Sequence, residues 1–146
     1  MKNLLTAIKT QLQTKLTYVR NGDIFVTPAE NYLPAHVKFP CVGIKDGAIE
    51  REIVEFSGVT EERLRVLLAA FVQIVKEEDS LIGVGATKGL LDMVDDIRTA
   101  LDDNLLAQAS MLSNFCIEER ASEMFGDEKE LIQQKVIVYE YVRHVA

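Results

Sequence analysis

Glu50 and Glu52 stand two residues apart in a segment that alternates as a strand does. Paired carboxylates at that spacing are the raw material of general acid and base catalysis when a pocket separates their pKa values. Nothing in the surrounding sequence implies such a pocket. The stretch GVGATKG at 83–89 offers glycines and a lysine, the ingredients of a phosphate cradle, but that cradle needs GxxxxGK followed by Ser or Thr, and here Lys88 precedes Gly89. A flexible connector is the simpler reading. Asp92, Asp95, Asp96, Asp102 and Asp103 are numerous enough for a cation site, yet a calcium loop needs oxygen donors alternating on a loop with glycine at its sharp turn. These acids ride on a helical pattern and read as its solvated face. His36 and His144 are far apart, and Cys41 and Cys116 each sit in an apolar stretch without CxxC spacing. Buried free thiols fit better than a disulfide or a metal pair. No Ser, His and Asp set declares itself. The expectation is a protein that is not an enzyme and carries no cofactor and no metal.

The chain has 146 residues, of which 48% are hydrophobic, which suits one compact domain over residues 1–146 with a real core. Its longest unbroken apolar run, 66–72, is far too short to span a bilayer, and Lys2, Lys9 and Lys15 punctuate the N-terminal segment. A soluble, unexported protein with no membrane partner is expected. Net charge is −7, unevenly spread: +3 over residues 1–47, −4 over 48–80 and −6 over 81–146. Such a balance is poor for gripping nucleic acid, because tight phosphate binding relies on clustered Lys and Arg.

Positioning these residues falls to a small set of elements. Leu4, Leu5, Ile8, Leu12, Leu16 and Val19 recur at helical intervals and predict a helix over 3–19, stopped by Asn21-Gly22. A strand at 23–27 follows, then a loop at 28–40 holding Pro28, Pro34 and Pro40. Asp46-Gly47 favours a tight turn, which predicts a hairpin over 41–56. Residues 61–75 are ambiguous on pattern alone: Thr60 and two glutamates look like a helix start, while Leu64, Val66, Leu68, Ala70, Val72 and Ile74 make one unbroken apolar strand face. An acidic turn, Glu77, Glu78 and Asp79, and the glycine connector lead to a helix at 88–106, whose core face is Leu90, Val94, Ile97, Leu101 and Leu105. Strands at 111–119 and 130–144 close the chain, with 120–127 turning back between them. The order implies an α+β domain: a largely antiparallel, mixed sheet of about five strands with two main helices packed on one face.

At the Asp46-Gly47 turn, through Phe71-Val72-Gln73, and from Glu77 through Lys88-Gly89-Leu90-Leu91-Asp92 to Leu101-Asp102-Asp103-Asn104, the chain resembles the small tail-terminator or tail-completion proteins of tailed bacteriophages and prophages. The closing segment 133–143, with Tyr139, Tyr141 and Arg143, is similar too. The likeness lies in element order and small-residue placement rather than in invariant chemistry, and the proline-rich stretch has no counterpart in it. It favours the strand reading of 61–75. It also implies a structural virion protein of the tail or neck, assembled in the bacterial host cytoplasm. Such subunits form a homo-oligomeric, commonly hexameric ring that caps the tail tube, meets the major tail tube protein and the head connector protein, and lets DNA pass without binding it specifically. In that setting Glu77, Glu78 and Asp79, and secondarily Glu50, Glu52 and Glu55, become candidates for a DNA-repelling lumen or a subunit interface. The basic first third of one subunit against the acidic remainder of the next would orient a head-to-tail contact. Another head-tail neck adaptor, or a small ligand-binding domain or enzyme, is the alternative.

Overall fold

The computed structural model describes residues 1–75, 77–127 and 130–146. Among these, six strands form one mixed sheet: β1 (Ile24–Val26), β2 (Cys41–Val54), β3 (Val59–Gln73), β4 (Met111–Glu119), β5 (Glu123–Asp127) and β6 (Glu130–Val145). The order is β1-β2-β3-β6-β4, with β5 pairing the other half of β6, and only the β1–β2 pair is parallel. Three helices accompany it: α1 (Lys2–Lys15), α2 (Glu77–Ile82) and α3 (Leu90–Leu101). The α+β class and the largely antiparallel sheet follow from the two periodicities in the sequence.

Strand β3 organises the core because its alternation is apolar on both sides. Leu64, Val66, Leu68, Ala70 and Val72 join Leu4, Ile8 and Leu12 of α1 and Leu90, Met93, Val94, Ile97 and Leu101 of α3 in one cluster. Ala69 and Phe71 point to the opposite face, where Phe25, Cys41, Ile132 and Val136 form a second cluster under Leu33, Val37 and Phe39 of the proline-rich loop. That loop is therefore a lid on half of the second sheet face. Arg120 holds it through Glu30 at 2.9 Å, and the Gln134 amide donates to the Glu30 carbonyl at 2.8 Å.

Several elements differ from the sequence expectation, each for a local reason. Helix α1 stops at Lys15, not 19, and Asn21-Gly22 lies beyond it in a short 3-10 turn over Asn21–Asp23. Leu16 and Val19 stay buried after the helix has ended, so the burial period outlasts the helix. Asp46-Gly47 makes no hairpin turn. Strand β2 runs through it, and the register slips from Asp46 opposite Val66 to Ile49 opposite Leu64, a β-bulge. A Cβ on Gly47 would lie 2.8 Å from the Arg65 carbonyl oxygen, so glycine serves a close approach here. The actual turn occupies 55–58, with Phe56 at φ 59° and Gly58 at φ 67°. The linker expected over 77–88 contains α2. Helix α3 ends at Leu101, where the Asn114 amide donates to the Leu101 carbonyl at 2.8 Å; Leu105 lies past the helix and packs only partly against the core. Bulges between Met111 and Ser113 and between Cys116 and Glu118 turn Met111, Asn114 and Cys116 toward the helices and leave Phe115 outside, unlike a regular alternation. Residues 123–127 pair as β5 instead of simply turning back.

Asp23, only 2% exposed, ties three segments together. Arg20 Nε donates to its carboxylate at 2.7 Å and the Lys38 N–H at 3.0 Å. The Arg20 guanidinium, helped by that N–H, holds the carboxyl below its ordinary value of 3.8 against the opposing effect of burial. A lowered folded-state value means stabilisation that is present above 3.8 and lost as pH falls through the folded value. Asp23→Asn is therefore expected to cost about 1–3 kcal/mol at pH 7, and the gap between variant and wild type should narrow in thermal melts as pH drops below about 3.8. A gap that stays constant into acid would show that the charge contributes nothing.

Candidate functional site: an apolar cleft and two separated acidic groups

The glycine stretch is a closed loop. After α2, the Gly83 N–H donates to the Asp79 carbonyl at 2.9 Å, and Gly83 itself sits at φ 83°. Val84 and Thr87 then exchange backbone hydrogen bonds of 3.2 and 2.9 Å around Gly85. The Gly89 N–H donates to the Asp92 carboxylate at 3.1 Å as α3 begins. A phosphate cradle needs free N–H groups converging on the anion. Here the N–H groups of Gly83, Val84, Thr87 and Gly89 are already bonded within the loop and its neighbours.

Between this loop, the end of β3, Phe39-Pro40 and Tyr18 lies an open cleft of about 500 Å³, lined mainly by apolar atoms including Val72, Val75, Val84 and Ala86. Its polar margin is largely engaged. Tyr18 Oη donates to Asp96 at 2.7 Å, and burial together with that carboxylate pushes the phenol well above its ordinary value. Lys88 Nζ lies 3.4 Å from the same carboxylate and 5.7 Å from the centre of the Tyr18 ring, a cation–π arrangement. Ser80 Oγ donates to Gln133 at 2.8 Å. These groups brace the wall and do not converge on a reacting atom. Asp79, half-buried, lines the cleft, and Glu78 is exposed on α2. The backbone of Glu77 opens α2, while its side chain lies outside the described residues.

Glu50, Glu52 and Glu55 lie at the other end of the sheet, all exposed, on the arm of the β2–β3 hairpin. Twelve strand residues at the usual rise put the two acidic groups roughly 40 Å apart, so the fold does not bring them together. Glu50 pairs with Arg65 at 3.3 Å, and Arg65 reaches Glu140 on β6 at the same distance. On the opposite face of the arm, Glu62 lies between Arg51 at 2.6 Å and Arg143 at 2.8 Å, and these two hold its carboxyl below its ordinary value. Glu140, only 4% exposed, sits near both Arg63 and Arg65. The carboxylates Glu50 and Glu52 thus stand exposed at an open depression that they share with Arg51, Glu61 and Arg63 on the hairpin arm. Sequence reading missed the ion-pair ladder. Its members are legible as alternating charges at 61–65, but the partners Glu140 and Arg143 lie some eighty positions away and only the β3–β6 register joins them.

Cys41 is fully buried, and burial pushes its thiol up to about 12, which keeps it unreactive. Burial raises the partly exposed Cys116 as well. His144 faces Glu61 at 3.1 Å. Among the described residues no group of three His, Cys, Asp or Glu side chains is arranged to hold a metal ion, and no helix is long and apolar enough to cross a membrane. The hairpin tip carries what the sequence reading did not single out: Phe56 is 104% exposed and Ile53 76% exposed.

No protein-family model matches this chain, and no curated protein sequence matches it. Among solved structures, it is similar to a chain from the virion of a native gene transfer agent particle. The two share 8% sequence identity, with a TM-score of 0.60 over 96% of this chain and 94% of that one. At that identity the likeness is one of fold.

Proposed function

We propose that this chain is a structural subunit of a tailed-phage-type particle, acting at the tail end or neck as a terminator or completion protein. One observation carries the reading: the shared fold runs almost end to end through both this chain and a virion chain, so the correspondence involves the whole architecture. The residue-level likeness to tail-terminator proteins points the same way. In this role subunits associate head to tail into a closed, commonly hexameric ring on the tail tube, beneath the head connector, with DNA passing through. Glu78 and Asp79 at one end of the sheet, or Glu50, Glu52 and Glu55 at the other, supply negative charge that discourages phosphates from lodging. The distance between the two groups means they serve separate places in such a ring.

The apolar cleft favours a second reading, a ligand-binding domain, because its volume falls within the range typical of small-molecule sites. Light scattering across a concentration series, followed by negative-stain imaging with and without purified tail tubes, separates the two. Closed rings, alone or on tube ends, are expected. A chain that stays monomeric in both conditions would sink the ring reading and leave ligand binding as the better account.

A further inference from the structure

We infer that the apolar cleft is a socket for the hairpin tip of a second copy of this chain, with Phe56 as the inserted side chain. The inference deepens the ring reading above and rests on it, because it names the two surfaces that meet. Phe56 is fully exposed and held at φ 59°, a conformation that bulky residues rarely adopt and that tends to persist where it serves a contact. Ile53 beside it is three-quarters exposed, so the tip is an apolar knob on a two-stranded arm. An aromatic of that kind has much to gain from burial and loses little side-chain freedom on docking.

The cleft is the matching hollow. Its walls are mainly apolar, and about 500 Å³ accommodates a phenylalanine ring with part of a neighbouring isoleucine. It lies at the opposite end of β3 from the tip, so a chain cannot fill its own socket by a small movement. Knob and socket on opposite ends of one subunit generate a head-to-tail contact, which closes into a ring or runs on as a filament according to its rotation. The pairing is carried by apolar burial and not by charge. Glu52 and Glu55 flank Phe56, and the cleft's margin carries Lys88, 45% exposed, with Lys38 exposed next to the lining residue Phe39. Lys88 is already paired with Asp96, and Asp79 lines the same margin, so the two lysines are matched by carboxylates and the margin is not a positive field.

The test uses the full chain and two variants. Phe56→Ser changes an exposed side chain, so the melting temperature should remain that of wild type while the association constant from light scattering falls at least tenfold. Ser57→Cys, which keeps Phe56, combined with Ala86→Cys in a Cys116→Ala background should form disulfide-linked ladders on mild oxidation; either cysteine alone should not. If wild type assembles and Phe56→Ser assembles equally well without ladders, the knob and socket pairing is overturned while the ring reading stands. If assembly depends on Phe56 but imaging finds open filaments, the pairing stands and the ring reading fails. A wild type that is monomeric at all concentrations and gives no ladders overturns both.

Discussion

Replacing Ile97 by aspartate is expected to leave the chain unfolded at room temperature. Ile97 is 0% exposed in α3, within the cluster shared with α1 and the inner face of β3. The substitution forfeits the burial of a large aliphatic side chain, worth about 1.5–3 kcal/mol. It also asks a carboxylate to lie where every neighbour in the cluster is apolar, which adds several kcal/mol even after the group takes up a proton. Whole-domain stability is typically about 5–15 kcal/mol, so the combined loss consumes most or all of it. Circular dichroism with thermal and urea unfolding measures the outcome. Thr99→Gln on the exposed side of the same helix is the control and should change stability by no more than about 0.5 kcal/mol. If Ile97→Asp melted like wild type, the helix would be packed the other way round.

Gly89→Ala is expected to cost about 3 kcal/mol and to disorder the margin of the cleft. A Cβ there would fall 2.3 Å from the Gly83 nitrogen, 2.6 Å from the Leu81 carbonyl oxygen and 2.7 Å from the Ile82 carbonyl carbon. All three are backbone atoms, so no side-chain rotation relieves the clash, and the loop must separate from the end of α2. Gly85→Ala meets nothing within 4 Å and bears only the strain of its φ of 55°, so it should cost about 1 kcal/mol. Gly22→Ala meets neither problem and should be close to neutral. Urea titration of the three variants gives the order. Equal effects at Gly89 and Gly22 would show that the contact between Gly83 and Gly89 is not what closes the loop.

The core was legible where one periodicity runs unbroken over many residues. Leu4, Ile8 and Leu12, then Leu90, Val94 and Ile97, are spaced so that only a helix buries them together. Strand β3 was ambiguous on pattern alone, because its last residues are apolar on both faces and buried on both, which suits a central strand as well as a buried helix. Legibility failed where tertiary contacts override a local preference. Asp-Gly prefers a tight turn in isolation, but at Asp46-Gly47 the pairing of β2 with β3 continues on both sides and turns the dipeptide into a bulge. Leu16 and Leu105 extend a helical burial pattern into chain that is no longer helical, since burial is decided by position and not by backbone conformation. Strand β5 is short, contains Gly126 at φ 112° and exists because β6 offers an edge to pair with. At the candidate site, the acidic residues could be found by composition, but the 500 Å³ cleft between chain segments near 18, 40, 73 and 86 is a product of topology that no local window contains.

Strand β6 is the shared partner of β3, β4 and β5, and its pairing with β3 extends from Thr60 opposite Val145 to Gln73 opposite Ile132. During synthesis the β2–β3 hairpin is complete long before that partner leaves the ribosome. Until then β3 presents an open edge whose side chains are apolar in alternation, the kind of template that invites pairing with a stranger. Because β6 seals this edge and is made well after β3, a nascent chain that stops short of β6 is a candidate for aggregation, while one that has reached it hides the edge. Closure of the β3 edge thus waits on chain made roughly sixty residues later, and pairing with β6 is what removes it.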